Sequence, residues 1–145
     1  MIRRATPGDA AAIARVEVRA FRHAYADIVD PGFLDDMDVE ERAAAWSDAL
    51  SQVDRVVFVA EAEGRVVGYA SVRLDGSLRT LYVDPVAQGA GVGTQLLAEA
   101  ERAGAHELEV FAANGHGIGF YEARGWRDDG PGEETLGRPT RRYVR

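Results

Sequence analysis

The sequence predicts an α+β domain in which a mixed, mostly antiparallel sheet of about six or seven strands is flanked by helices. Three observations predict this class. Apolar residues recur three or four positions apart in the first fifty residues, which is typical of amphipathic helices. Three short apolar strands then follow one another through tight turns, so they must run antiparallel. Finally, a glycine-rich loop opens a helix that carries the chain to a later strand.

The first half of the chain is predicted to form one strand and two helices. Residues 2–5 have the composition of a short strand, and residues 6–9 can start a helix, because Thr6 can cap it and Pro7 suits its first turn. Residues 30–32, Asp-Pro-Gly, break the helical pattern. A second amphipathic helix is marked by Val39, Ala43, Trp46 and Leu50.

The second half is predicted to be richer in strands. Buried strands are expected at 56–60, 66–74 and 78–83, and the last two are joined by Asp75-Gly76, a strong hairpin signal. Strand 108–112 can run parallel to strand 78–83, because a helix lies between them and supplies the long crossover. The remaining predicted elements are helices at 95–103 and 119–123 and strands within 126–136 and near 141–144.

Composition narrows the possible functions. A chain of 145 residues is predicted to form a single domain, 1–145, and its 46% hydrophobic content is ordinary for a globular protein. There is no signal peptide and no apolar run long enough for a membrane span, so we expect a cytoplasmic protein without a membrane partner. The net charge of −7 argues against nucleic-acid binding. The chain lacks cysteine, and its three histidines lack metal-ligand spacing, so no metal is expected.

The glycine-rich stretch from Gln88 to Thr94 is the most informative part of the chain. A strand precedes it and a helix follows, so its backbone N–H groups and the helix dipole can bind an anion such as a pyrophosphate. A P-loop is excluded because the sequence contains no lysine. A Rossmann fingerprint fits poorly, because the glycines are spaced G-x-G-x-G and no acidic residue ends the next strand, at 111–113.

Several motifs together resemble the GNAT superfamily of N-acetyltransferases. The pattern Gln88-x-x-Gly91-x-Gly93 after strand 78–83 is similar to the family's acyl-CoA signature Q/R-x-x-G-x-G/A. Asn114 and then Phe-Tyr-Glu-Ala-Arg-Gly-Trp at 120–126 resemble the family's Asn followed by F-Y-x-x-x-G-F. Residues 64–70 resemble its central hairpin, so the likeness runs in order over nearly the whole chain.

The resemblance implies a fold in which the central parallel strands splay apart, with acetyl-CoA bound between them. The pantetheine arm would lie along the backbone of Leu81, Tyr82 and Val83, whose donors could also stabilise the oxyanion of the thioester. Asn114 would hydrogen-bond the same arm. The pyrophosphate would be held by the amides of Gln88, Gly89, Ala90, Gly91, Val92, Gly93 and Thr94.

The resemblance also implies transfer of an acetyl group to a primary amine of a small molecule or peptide. Without cysteine, direct attack in a ternary complex is favoured over a covalent acyl-enzyme. Tyr121 stands where the family has its acid, which would protonate the leaving CoA thiolate. No general base is assigned: Glu61, Asp84 and Glu109 are candidates, and a water chain is an alternative.

The acceptor is left open by the sequence. The loop after the first helix carries Asp27, Asp30, Asp35, Asp36 and Asp38, which could attract a cationic amine or could be an ordinary solvated loop. Arg73 and Arg79 could instead bind a substrate carboxylate. Two other functions remain: a domain that binds acyl-CoA without catalysis, and a toxin that acetylates aminoacyl-tRNA, which the acidic charge disfavours. The sequence also leaves open a homodimer, through an exposed sheet edge or through the C-terminal strands.

Overall fold

The structure, a computed structural model, describes all 145 residues. Strands and helices alternate in groups along the chain. The strands are β1 (Ile2–Arg4), β2 (Arg55–Ala62), β3 (Arg65–Arg73), β4 (Leu78–Val83), β5 (Glu107–Phe111), β6 (Arg127–Pro131) and β7 (Thr140–Val144). The α-helices are α1 (Ala10–Ala24), α2 (Pro31–Asp35), α3 (Val39–Leu50), α4 (Val92–Arg102) and α5 (Gly115–Glu122). Two 3₁₀ turns, Pro7–Asp9 and Pro85–Ala87, precede α1 and the glycine loop.

The seven strands form two antiparallel sheets. The first has the order β1-β2-β3-β4, and the second has the order β5-β7-β6. Strands β4 and β5 run parallel, as the sequence predicts, but they are joined only by a single bridge between Ser77, which precedes β4, and Glu107, the first residue of β5. Beyond this bridge they do not pair. The α+β class with splayed central strands is therefore confirmed.

Helices cover both faces of the first sheet. On one face, Leu96, Leu97 and Ala100 of α4 belong to a core of 13 buried residues, which contains side chains of both sheets. On the opposite face, α1 and α3 bury Ile13 and Trp46 against β2 and β3. Because apolar side chains lie on both faces of β2 and β3, their sequences read as nearly continuous apolar runs.

Three element boundaries differ from the sequence prediction for local reasons. Helix α1 begins after a 3₁₀ turn, because the Asp9 carboxylate accepts from the Thr6 N–H at 2.7 Å and pairs with Arg3 at 2.8 Å. The predicted break at 30–32 contains the start of α2, which Asp30 caps by accepting from the Gly32 N–H. Helix α5 starts at Gly115, earlier than predicted, because the Asn114 side chain caps it.

Candidate active site

A groove of about 1570 Å³ opens where β4 and β5 separate. Its walls come from the end of α1, the start of α3, β4, the glycine loop, β5 and α5. The bridge between Ser77 and Glu107 closes one end of the gap between the strands. The groove therefore has one side next to the glycine loop and another side next to α1 and α3.

The glycine loop contains backbone conformations that only glycine adopts easily. Gly89 and Gly91 have φ angles of +88° and +82°, in the left-handed region, and Gly91 is the N-cap of α4. The six amides from 89 to 94 donate no hydrogen bond to any protein acceptor. Unpaired amides at a helix N-terminus form a site for an anion of pyrophosphate size.

One edge of β4 faces the groove without a partner strand. The Asp84 N–H donates to the Val67 carbonyl at 2.7 Å, and backbone groups alternate along a strand. The N–H and C=O groups of Leu81 and Val83 therefore point to the open edge. The backbone groups of Tyr82 point to β3 instead, so this residue meets the groove through its side chain, in contrast to the sequence expectation.

Two polar side chains determine which hydrogen-bonding groups of this site remain available to a ligand. The Gln88 Nε2 donates to the Val83 carbonyl at 3.2 Å. The carbonyl of Val83 is therefore engaged, and its N–H is the group that remains available to a ligand. The Asn114 Oδ1 accepts from the Gly117 N–H at 2.9 Å, which leaves the Nδ2 group as a donor. The predicted cofactor residues all line the groove except Ala90, whose amide nevertheless belongs to the unpaired set.

Tyr121 lies on α5 and lines the same groove. Its ring packs against Phe120 and Trp126, with centroid separations of 5.2 and 6.0 Å, so it also has a structural role. No protein group hydrogen-bonds its hydroxyl. Burial, followed by the proximity of Tyr25, raises the pKa of Tyr121 above its ordinary value. The phenol therefore stays protonated and can donate.

The three carboxylates proposed from the sequence as bases lie in different surroundings. Glu61 pairs with Arg3 at 2.5 Å, outside the groove, and buried Asp84 pairs with Arg19 at 3.0 Å. Burial opposes ionisation of Asp84, but the Arg19 and Val86 hydrogen bonds prevail and lower its pKa. Only Glu109 lines the groove, where it accepts from the Glu133 N–H at 2.9 Å and has no ion pair.

Fewer aspartates of the loop after α1 line the groove than the sequence indicates. Only Asp36 and Asp38 line the groove, and Asp38 also caps α3 by accepting from the Glu40 N–H. Of the two arginines proposed to bind a carboxylate, Arg79 lines the groove. Arg73 lies outside it, 3.9 Å from Asp54.

Sequence reasoning missed three residues of the groove. Buried Glu17 of α1 accepts from Arg42 at 2.7 Å and from the Trp46 indole at 3.1 Å. Arg124 stacks 3.9 Å from the Phe120 ring centroid and donates to the Thr94 hydroxyl at 2.7 Å, which places a cation beside the glycine loop. Its position four residues after Phe120, just past the end of α5, was the available signal.

The third missed residue is Tyr25, at the C-terminal end of α1. Its hydroxyl lies 3.0 Å from that of Tyr82. Nothing in the local sequence of α1 indicates this contact, because the partner lies 57 residues away.

No group of three or more histidine, aspartate or glutamate side chains is arranged to hold a metal ion. None of the helices combines the length and apolarity that a membrane crossing requires.

Comparison with known proteins is consistent with this geometry. Residues 53–128 match the model of the acetyltransferase (GNAT) domain. An aminoglycoside N(6')-acetyltransferase type 1 of Stenotrophomonas maltophilia is 36% identical over 124 residues, covering 74% of this chain and 71% of that protein.

Two solved structures extend the likeness to the whole fold. The ribosomal-protein-alanine N-acetyltransferase of Brucella melitensis is 28% identical with a TM-score of 0.75, covering 100% of this chain and 98% of that one. The structure of yncA from Salmonella typhimurium with its cofactor acetyl-CoA is 27% identical with a TM-score of 0.70, covering 99% and 91%. With its splayed strands, its glycine loop and these relatives, the chain belongs to the GNAT family and is an acetyl-CoA-dependent N-acetyltransferase.

Proposed function

We propose that the chain acetylates a primary amine on a molecule that carries further positive charge, such as a polyamine or an aminosugar. The observation that carries this proposal is the charge of the groove, which is lined by seven carboxylates and four arginines. The carboxylates belong to Glu17, Asp36, Asp38, Glu41, Glu107, Glu109 and Glu133.

The four arginines offset the seven carboxylates only in part: two of them pair with Glu17 and Glu107, and on the acceptor side only Arg79 is left to offset the other five. Arg42 is paired with Glu17, and Arg142 is paired with Glu107 and Asp129. Arg124 lies beside the glycine loop, on the cofactor side. A concave surface with an excess of one sign concentrates ligands of the opposite sign. The aminoglycoside acetyltransferase similarity supports the same acceptor class.

The geometry supports direct transfer in a ternary complex. The amides of 89–94 would hold the pyrophosphate, and the open edge at Leu81 and Val83 would hold the pantetheine arm. The Val83 N–H would stabilise the oxyanion as the neutral amine attacks the thioester carbonyl carbon. The carbon–sulfur bond breaks, the sulfur keeps the electron pair, and the Tyr121 hydroxyl donates its proton to it. The nitrogen loses its extra proton to water in the open groove.

A panel of acceptors tests the proposal. Release of the CoA thiol would be followed with spermidine, kanamycin, an alanine-initiated peptide and glutamate, each with acetyl-CoA. We expect the highest kcat/KM with spermidine or kanamycin, and a decrease as salt screens the acidic groove. Fastest turnover of glutamate would contradict the proposal. Preference for the peptide would favour the substrate type named for the Brucella relative.

Removal of groove charge is a second test. Replacing both Glu109 and Glu133 by Gln should raise the acceptor KM about two- to thirtyfold, because exposed charge interactions contribute about 0.2–1 kcal/mol each. The acetyl-CoA KM should not change. Asp27→Asn is the matched control, because it removes one exposed carboxylate outside the groove. Equal KM values in all three proteins would exclude electrostatic acceptor recognition.

A further inference from the structure

The hydroxyls of Tyr25 and Tyr82 form a polar pair inside an aromatic wall of the groove. They lie 3.0 Å apart. The Tyr25 ring contacts Phe21 and Phe111 at centroid separations of 4.4 and 5.0 Å, and the Tyr82 ring lies 6.1 Å from Phe21. These four aromatic residues all line the groove on the side of α1.

The pair has unused hydrogen-bonding capacity. Two hydroxyls carry two hydrogens and four lone pairs, and their mutual bond uses one hydrogen and one lone pair. Neither hydroxyl bonds any other protein group, whereas the hydroxyl of Tyr143 donates to Glu122 at 2.9 Å. A polar group in apolar surroundings loses free energy unless a ligand or water completes its bonds. The pair is therefore able to bind a small polar group in the groove.

The position of the pair connects it to the reaction. Tyr82 lies between Leu81 and Val83, whose backbone groups face the proposed thioester site. Tyr25 lies close enough to Tyr121 to contribute to the raised pKa of that phenol. Burial also raises the pKa of Tyr25 and Tyr82, so both hydroxyls remain neutral. Neutral phenol oxygens accept N–H groups and do not act as bases.

We propose that the Tyr25–Tyr82 hydroxyl pair binds the nitrogen of the acceptor amine and orients it toward the thioester. The nitrogen donates an N–H to a phenol oxygen, and its lone pair is left free for attack. The carbon next to the nitrogen packs against Phe21 and Phe111. The acceptor thus presents its reactive amine on an apolar stem, and its other ammonium groups lie toward the carboxylates. This inference rests on the proposed acceptor class.

Conservative variants test the pair. With spermidine and kanamycin as probes, Tyr25→Phe and Tyr82→Phe should each raise the acceptor KM about three- to tenfold, as expected for loss of one hydrogen bond. The acetyl-CoA KM should stay within about twofold. The double variant should be scarcely worse than either single one, because the two hydroxyls act together and their effects are not additive. Tyr143→Phe, which loses a hydroxyl bond outside the groove, should leave the acceptor KM unchanged.

The outcomes separate this inference from the proposal on which it rests. If the wild type acetylates neither probe, the acceptor class is wrong and the inference fails with it. If the wild type acetylates them and both single variants keep its acceptor KM, only the inference is overturned. A purely structural role would lower the melting temperature of the variants without changing the acceptor KM. That result would also overturn the inference.

Discussion

The two sides of the groove, the proposed cofactor side next to the glycine loop and the proposed acceptor side next to α1 and α3, present different parts of the chain. The cofactor side offers mainly backbone: six unpaired amides at 89–94 and the open edge of β4. The acceptor side offers side chains that come from α1, α3, β4, β5 and the segment after β6. A backbone site depends on loop shape, and a side-chain site depends on residue identity.

The family match follows the same division. Residues 53–128 include the whole glycine loop, Asn114 and Tyr121. They exclude residues 1–52, which contain the first three helices together with Glu17, Tyr25 and Asp36. The part of the fold that we propose to bind the cofactor is thus the part recognised as common to the family, and most helical residues of the proposed acceptor side lie outside it. Family membership therefore identifies acetyl-CoA more sharply than it identifies the acceptor.

The largest effect is expected where the two sides meet, at Tyr121. Tyr121→Phe removes the proposed acid and should lower kcat about 100-fold, a typical contribution of general acid catalysis. Calorimetric titration with CoA should give an unchanged Kd, since the ring packing is retained. Tyr143→Phe is the control for the loss of a tyrosine hydroxyl elsewhere. Unchanged kcat in Tyr121→Phe would assign the residue to the core and leave protonation of the thiolate to water.

An intermediate effect is expected on the cofactor side alone. Gly91→Ala forces a β-carbon into the left-handed region at φ +82°, at a cost of about 1–2 kcal/mol, so the loop should lose its shape. We expect the acetyl-CoA KM to rise about tenfold while the acceptor KM stays constant. Gly104→Ala is the matched control, because it has a φ of +103° at the other end of α4 and equally open surroundings. If Gly91→Ala and Gly104→Ala have the same acetyl-CoA KM, loop geometry does not control cofactor binding.

The smallest effect concerns the start of α1, which supports the acceptor side. Hydrogen bonding to Arg3 lowers the pKa of Asp9 to about 2 from an ordinary 3.8. A lowered folded-state pKa stabilises the protein above the unfolded pKa, and this stability is lost as pH falls from about 4 to about 2. Because Arg3 is partly exposed, we expect about 1 kcal/mol.

Chemical denaturation at pH 7 and pH 2.5 measures this contribution. Asp9→Asn should be less stable than the wild type at pH 7, and the difference should be clearly smaller at pH 2.5, where only part of the stabilisation remains. A difference between the two proteins that is the same at both pH values would contradict the assigned ion pair. Amide exchange in α1 should follow the same trend, and exchange in the glycine loop should not.

Local sequence signals predicted much of the fold, and most of the residues that they proposed for the cofactor line the groove. Strand β4 falls at 78–83 as predicted, because Asp75-Gly76 fixes its turn and the glycine loop fixes its end. Tyr121 and Asn114 could be placed by their motifs, although the capping role of Asn114 became visible only with the helix in place. These features depend on residues near one another in the chain, so a single sequence contains them.

The acceptor side could not be predicted in the same way. Glu17 acquires its surroundings from Arg42 and Trp46, which are 25 and 29 residues away. Tyr25 meets Tyr82 only because α1 packs across the sheet. The separation into two sheets is likewise a tertiary result, since β5 prefers β7 as its partner over most of its length. Sequence spacing indicates none of these long-range pairings.

The single bridge between Ser77 and Glu107 has a consequence for the evolution of the fold. All strands of the second sheet come from residues 107–144, and one backbone bridge, from Ser77 just before β4 to Glu107, joins this sheet to the first. Insertions or replacements in the loop between β6 and β7 therefore change the acceptor wall without requiring compensating changes in the glycine loop. Chimaeras that exchange this segment with a relative should inherit the relative's amine preference and keep their own affinity for CoA.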